Sequence, residues 1–439
     1  MTETPKVPKR AAGQHPKPPE GTWTEHYPEL DTAPVSYENS ISPEFFELER
    51  EAIFKRAWLN VGRVEQIPRT GSFFTRELAI AKTSLIIVRD KSDVVRAFHN
   101  VCRHRGNKLV WNDHPAEEVC GTTRKFACKY HGWTYELDGR CSFILQEGEF
   151  FGIDKNDYGL VPVHCDVWKG FIFVNLAEQP GQTLSEFLGP MITAIDYPFE
   201  KLTQRYYYRG DIRSNWKIFL DAFQEFYHPP ILHGHQNPVM RQAEYQDKGF
   251  YTSHFQIDGP HRMGSTTGGA GGKLVPEFYN PIEQLLRSGL FGPWDPSEIV
   301  GDTLPPGLNP GNKKNWGLDS FQIFPNFAIV FWETGWYLTY HYWPVAHDRL
   351  LFEANAYFTP PRNVRERLAQ QLGIATIKEY ALEDCGTLEA TQMGLESRVV
   401  TSFPLGDQEF MCRHLNKVVN TWVADHQQKQ LQQHKHTEG

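Results

Sequence analysis

Two short segments, "CRHRG" at 102–106 and "CKYHGW" at 128–133, each pair a thiol with an imidazole: Cys102 with His104, and Cys128 with His131. Soft and borderline ligands drawn from two loops are the donor set of zinc or of an iron–sulfur cluster. Structural zinc takes its paired ligands from spacings of two to four residues. The single residue between Cys102 and His104 is tight for two ligands of one ion. Neighbouring ligands can instead serve different metals, so the spacing favours a two-iron cluster with two Cys on one iron and two His on the other.

A second constellation lies in "DAFQEFYHPPILH". His228 and His233 are five residues apart, about 140° of rotation on a straight helix and so off a shared face. Pro229 and Pro230 prevent the helix from continuing regularly, so His228 can end it while His233 turns back. Two neutral His and one carboxylate on one face of Fe(II) leave positions open for O₂ and a substrate. The carboxylate must come from elsewhere. "EYALEDCGTLEATQMGL" offers Glu379, Glu383, Asp384 and Glu389, and nothing in their spacing separates them. Glu225 lies three residues before His228 on a segment that reads as helix, so the two side chains share a face. Its carboxylate can accept a hydrogen bond from the ring N–H that His228 does not use for a metal.

These residues need elements to place them. Residues 1–40 begin with a Pro- and Lys-rich stretch lacking any apolar segment, and read as a disordered leader. Over 41–58 the chain reads as a helix packing on the catalytic domain, started by Ser42 as N-cap, Pro43 at the first position and Glu44 in the first turn. From 59 to 175, β-rich runs such as "SLIIVRD", "VVRAFHN", "FACKYHGWTYEL" and "GFIFVNL" predict a small antiparallel β domain that carries both Cys–His loops. Residues 176–428 read as a catalytic domain. It contains helices at "LSEFLGPMITAIDY", 215–228 and 363–395, with strands at "RYYYRGDIRSNW", "FQIFPNFAIVFWET", "WYLTYHYWPV" and "LLFEANAYF". A Gly-rich loop at 263–272 lacks the Gly-Lys-Ser/Thr ending of a phosphate loop. The segment 234–318 is expected to form a mobile pocket wall, and 429–439 a polar tail. The fold class is α+β: an antiparallel β domain, then a central antiparallel sheet with helices around a pocket.

Composition narrows the partners. The 439 residues are 40% apolar and 13% aromatic, enough for a large core, and the formal charge is −8. No basic stripe argues for nucleic acid, and no window has the apolar length of a membrane span. The seven Cys are odd in number and irregularly spaced. They fit free thiols in a reducing cytoplasm rather than a disulfide framework. Cys120 and Cys141 flank the first site outside its motif and read as structural.

"NVCRHRG" and "CKYHGWTYELDG" resemble the two cluster loops of Rieske [2Fe–2S] proteins. Followed by "NWK…EFYHPPILH" and a helical "ED…E…QMGL", they resemble the catalytic alpha subunits of Rieske non-haem iron oxygenases, which include the aromatic ring-hydroxylating dioxygenases. The likeness runs from about residue 45 to 425, and the stretch between His104 and Cys128 is longer than in many members. It implies Cys102, His104, Cys128 and His131 as cluster ligands. His228, His233 and Asp384 become the ligands of a mononuclear Fe(II), with Glu225 and Asp221 as catalytic acids. A cluster with two neutral imidazoles has a potential of about −150 to +300 mV, against about −400 mV for all-thiolate plant-type ferredoxins.

The likeness further implies electrons from NAD(P)H through a separate flavin reductase, with or without a ferredoxin. It implies a homotrimer in which one subunit's cluster serves the next subunit's iron, Glu225 bridging to a neighbour's His131, and in some members a small beta subunit. The expected reaction is O₂-dependent hydroxylation of a hydrophobic, aromatic substrate. Glu225 stands where many ring dioxygenases have Asp, and Glu there also occurs in members that demethylate quaternary ammonium compounds. An N- or O-demethylating monooxygenase is therefore the alternative. A Rieske electron carrier without oxygenase activity is the second.

Overall fold

The computed structural model describes residues 18–19, 21–235, 251–267, 280–289, 291–300, 303–313 and 316–437. The chain divides into two compact units. One is residues 48–187; the other joins the residues up to 47 with those from 188 onward.

Residues 22–40 depart from the expected disordered leader. Trp23, in the short helix α1 (Thr22–His26), meets Phe255 edge-on at 5.0 Å and packs in one apolar cluster with Leu30, Phe410 and Met411. Asp407 accepts hydrogen bonds from the backbone N–H of Trp23 (3.1 Å) and Thr24 (2.9 Å). Burying Trp23, Leu30 and Tyr37 gains enough to order a stretch whose polar composition alone argues for disorder. Residues 1–17 of the expected leader lie outside the described residues. The helix expected over 41–58 is α2 (Pro43–Glu49) followed by a π-turn over Arg50–Phe54. Ser42 Oγ caps it by accepting from Phe45 N (3.1 Å). From Leu48 onward the residues belong to the cluster unit.

That unit is built on strands β1 (Leu59–Arg63), β2 (Ser72–Leu78), β3 (Thr83–Arg89), β4 (Val95–His99), β5 (Cys120–Thr122), β6 (Phe126–Ala127), β7 (Thr134–Tyr135), β8 (Cys141–Phe143), β9 (Pro162–Trp168) and β10 (Phe171–Asn175). A seven-stranded antiparallel sheet has the order β1-β10-β9-β4-β3-β2-β5, and a three-stranded sheet the order β6-β7-β8. Within the β-rich run "FACKYHGWTYEL" are two short strands, β6 and β7, separated by the loop that carries Cys128 and His131. Phe73, Phe98, Phe126, Trp133 and Tyr135 form a core that includes Cys102, Cys128 and Cys141. Cys120 is exposed on edge strand β5.

The second unit continues with α3 (Leu184–Thr193), β11 (Gln204–Ile212), α4 (Trp216–Asp221), α5 (Pro229–Leu232), β12 (Tyr251–Asp258), β13 (His261–Thr267), β14 (Trp316–Ile323), β15 (Phe327–Trp332), β16 (Trp336–Ala346), β17 (Arg349–Phe358), α6 (Val364–Glu396) and α7 (Phe410–Thr437). The seven strands named here form one antiparallel sheet in the order β11-β17-β16-β15-β14-β13-β12. Met263–Thr267, expected as Gly-rich loop, is the end of β13, because its backbone pairs with β14; residues 268–272 lie outside the described residues. Of the expected pocket wall, 251–267 are strands of the main sheet, while 236–250 and 268–279 are not described. The expected polar tail at 429–439 continues α7 through Thr437. No described helix is long and apolar enough to cross a membrane.

Asp319 on β14 ties three segments together. It accepts from Ser265 Oγ on β13 (2.5 Å), Trp316 Nε1 (2.8 Å) and Asn309 N (2.6 Å). Burial pushes its carboxyl up to about 6, against the pull of those donors. Asp319→Ala leaves two buried donors and one half-buried donor without this acceptor, at a total cost on the order of 3 kcal/mol. Urea unfolding followed by far-ultraviolet circular dichroism should show a clearly lower midpoint; an unchanged midpoint would refute this tie.

Candidate metal centres

The two Cys–His loops close in the same way. Gly106 N donates to Cys102 O (3.1 Å) and Cys102 N to Asn107 O (2.8 Å). Gly132 N donates to Cys128 O (2.9 Å) and Cys128 N to Trp133 O (2.8 Å). Each turn therefore bonds Gly to the Cys four residues before it. Each Gly also adopts a left-handed φ, +70° and +72°, which a side chain disfavours. The His differs only in its place within the turn, third residue in one loop and fourth in the other. The rings of His104 and His131 lie 4.6 Å apart, and His104 stacks on Trp133 at 4.9 Å with 6° between planes.

This arrangement fits a two-iron cluster. Cys102 and Cys128 are buried free thiols, and burial holds the Cys102 thiol above its usual value. His104 Nδ1 is buried with no hydrogen-bond partner among the described residues, and burial lowers its imidazole's pKa. Such a set is costly bare and satisfied by metal. Among the described residues, groups of three or more ligand atoms within 4.8 Å of one another are His228/His233/Asp384 and His347/Asp348/Glu396, not the Cys–His quartet. Tyr135 was not anticipated: its hydroxyl accepts from Arg103 N (3.0 Å) and lies 3.3 Å from Cys102 Sγ.

The second centre is assembled by α4, α5 and α6. The helix expected over 215–228 is shorter: α4, capped by the Asn215 side chain, ends at Asp221. Pro229 and Pro230 do not break a helix behind His228; they begin a new one. Proline suits the first turn because its φ is preset and no N–H is needed there. His228 is the N-cap and His233 the C-cap of this one-turn helix, and their rings are 5.2 Å apart. Asp384 comes from α6, whose buried residues include Gly373, Ile377, Ala381, Asp384, Leu388 and Gln392. Gln392 Oε1 accepts from Asn215 N (2.9 Å) and Glu389 Oε1 from Arg213 N (3.0 Å), fixing α6 beside the start of α4.

At the centre, Asp384 Oδ1 lies 3.5 Å from His228 Nε2 and 3.4 Å from His233 Nε2. It is buried with no hydrogen-bond donor among the described residues. Both Nδ1 atoms are already engaged, His228 by Glu225 Oε1 and His233 by Glu383 Oε2 at 2.7 Å. Burial is the largest influence on both rings and opposes their charged form; at His228 the Glu225 bond together with the charges of Glu225 and Asp384 outweighs it and leaves the ring raised, while burial prevails at His233. Burial also pushes Asp384 up to about 7. Three carboxylates around two imidazoles, with both Nε2 and one carboxylate oxygen turned together, match a 2-His-1-carboxylate iron site. Carboxylates on the outer nitrogens orient the rings.

Of the four acids that spacing left open, Asp384 faces the imidazoles, Glu383 orients His233, Glu389 caps a backbone N–H and Glu379 is exposed. The buried stripe of α6 is the signal that separates them. Asp221 is not among the ligand atoms. Its Oδ1 accepts from Gln224 Nε2 (2.7 Å), and burial pushes its carboxyl up to about 7.

Residues 57–151 match the family described as Rieske [2Fe-2S] domain, and residues 199–425 the ring hydroxylating alpha subunit (catalytic domain). A glycine betaine monooxygenase oxygenase subunit from Chromohalobacter salexigens is 39% identical over 191 residues, which span 42% of this chain and 40% of that protein. Among solved structures, a quaternary ammonium Rieske monooxygenase, described for carnitine oxidation and inter-subunit electron transfer, aligns with a TM-score of 0.67 at 19% identity. It covers 92% of this chain and 99% of its own. Naphthalene 1,2-dioxygenase from Rhodococcus sp. aligns with a TM-score of 0.66 at 19% identity, covering 89% and 94%. These two structures show the fold alone. With both of its domains matched, the chain belongs to the Rieske non-haem iron oxygenases, in which a Rieske [2Fe–2S] domain is joined to a ring-hydroxylating alpha-subunit catalytic domain.

Proposed function

We propose that this chain is the oxygenase component of a multicomponent system, acting as a monooxygenase that demethylates a quaternary ammonium compound. The observation that carries the oxygenase reading is the pair of imidazoles, each backed by a carboxylate and both turned toward Asp384. Two observations support the substrate class over the aromatic compound expected first. The sequence relative is named for glycine betaine, and the sheet face that Asp384 acts on is walled by aromatic rings. Phe223 lies 5.2 Å from Tyr340, 5.7 Å from Tyr342 and 5.2 Å from Phe352. The charge of Asp384 bears on the phenols of Tyr208, Tyr340 and Tyr342, all already held up by burial. Such rings attract a quaternary ammonium by cation–π interaction, which strengthens when the cation is desolvated.

Iron on His228, His233 and Asp384 supplies O₂ activation when bound, and a [2Fe–2S] cluster on Cys102, His104, Cys128 and His131 supplies electrons singly. Glu225 and Glu383 keep a proton on each Nδ1 and each Nε2 directed inward. The aromatic wall excludes water and presents a methyl group. In the overall reaction one oxygen atom enters a methyl C–H bond and the other leaves as water. NAD(P)H supplies two electrons through a separate flavin reductase, and the hydroxymethyl group leaves nitrogen as formaldehyde. The proposal includes a homotrimeric oxygenase core.

With NADH and a flavin reductase, glycine betaine or carnitine should release formaldehyde in step with O₂ uptake. A cis-diol formed from naphthalene, with no formaldehyde from either amine, would restore the aromatic reading. His233→Ala and Asp384→Ala should each lose about one of three irons per chain while keeping the Rieske electron paramagnetic resonance signal. Full iron in Asp384→Ala would show that Asp384 is not a ligand. Glu383→Gln should weaken iron binding about 10–100-fold. Glu225→Gln should keep both metals and lose most turnover, with the cluster staying reduced after mixing with substrate and O₂; parent-like reoxidation would remove Glu225 from that role.

A further inference from the structure

Arg262 is 1% exposed on β13. Its Nε donates to Gln224 Oε1 (2.6 Å), and its Nη1 is buried with no partner among the described residues. Asp221 is linked to it through Gln224 and is itself pushed up to about 7 by burial. A buried guanidinium without a paired anion is costly, and its fork of donors matches a carboxylate.

The strand register says which way Arg262 faces. It stands directly opposite Gln322, Gln322 opposite Ala328, Ala328 opposite Tyr340, Tyr340 opposite Ala354 and Ala354 opposite Tyr208. Directly opposed residues share a face of an antiparallel sheet. One row therefore runs from Arg262, whose Nη1 has no partner among the described residues and on which the charge of Asp221 bears, to the tyrosines on which Asp384 bears, with short alanines on either side of Tyr340. The hydroxyls of Tyr208 and Tyr342 on this face are also buried without partners among the described residues, and the charges of both Arg262 and Asp384 act on Tyr342. Gln322 Oε1 is likewise unpartnered, while its Nε2 donates to Phe223 O (3.2 Å) and Ser320 Oγ (3.0 Å).

We propose that Arg262 binds the carboxylate of the substrate, so that the enzyme takes a zwitterion: an ammonium group against the aromatic rings near Asp384 and a carboxylate on Arg262. This rests on the quaternary ammonium reading and deepens it, separating betaine-like acids from amino alcohols. Arg262 acts as a specificity-determining residue.

Isothermal titration calorimetry of the iron-loaded holoenzyme tests it with three probes. Glycine betaine has both groups, choline keeps the trimethylammonium with a hydroxyl in place of the carboxylate, and 3,3-dimethylbutanoate keeps the carboxylate with a neutral tert-butyl group. The parent should bind glycine betaine at least about 10-fold more tightly than choline. Arg262→Gln should lose roughly 30-fold or more in affinity for glycine betaine and change choline by less than about 3-fold, and Arg262→Lys should fall between. The cluster's electron paramagnetic resonance signal and circular dichroism should match the parent's, and if Arg262→Gln fails to fold, Arg262→Lys carries the comparison. Equal losses for both amines would make Arg262 structural, and unchanged glycine betaine binding would leave its guanidinium to internal water; either overturns the proposal. If the parent binds the butanoate through Arg262 but discriminates nothing by ammonium charge, the quaternary ammonium reading fails while the carboxylate site stands. If the parent binds none of the three, both fail.

Discussion

Each imidazole at the mononuclear centre is committed at Nδ1 to a carboxylate, and this commitment governs how the catalytic unit is arranged. A histidine whose Nδ1–H is donated outward presents the lone pair of Nε2 inward. Glu225 can do this for His228 from within the same short segment. Glu383 can do it for His233 only if α6 is brought against α5. The bonds from Arg213 N to Glu389 and from Asn215 N to Gln392 bring it there. Once α6 is docked, Asp384 on its buried face meets both Nε2 atoms. Three carboxyl groups set around two imidazoles in a mostly buried place are a donor set that a divalent cation satisfies.

The cluster unit solves a related problem with backbone rather than with carboxylates. Both loops turn on a Gly bonded to the carbonyl of the Cys four residues earlier, and both are closed by the Cys N–H one residue further on. The thiols thereby enter the same apolar core as Phe126 and Trp133. The unequal Cys–His spacings in the two loops are variations within one turn. Stacking on Trp133 holds His104, and the Tyr135 hydroxyl, supplied by Arg103 N, reaches Cys102 Sγ.

Between the helices and the main sheet of the catalytic unit, polar groups stand within an aromatic interior. Gln224 joins Arg262 to Asp221, while Asp319 joins β13 to β14 from the opposite face of the sheet. Burial disfavours charge at each of these carboxyls and at Arg262. The face that holds Arg262 also carries hydroxyls without partners among the described residues, whereas an ordinary core pairs its buried polar groups. The face is thus apolar enough to strengthen electrostatics and polar enough to orient a charged molecule.

The sequence by itself picked out the two Cys–His pairs and the two histidines around the proline pair, and it determined the α+β class and the long helix over 363–395. These are local features: a Cys–His spacing, a proline pair, an apolar period. Family likeness was needed to choose Asp384, although the stripe of Gly373, Ile377, Ala381 and Leu388 on α6 already placed it on the buried face. Tertiary structure alone decided that Pro229 starts a helix rather than ending one, since that depends on where α4 stops. It ordered residues 22–40, because Trp23 gains its burial from Phe255 and Phe410, far away in the chain. It separated Asp221 from the ligand atoms and put Arg262 and Tyr208 on one face of the sheet. Pairing register is set by partners dozens of residues distant, and no local spacing encodes it.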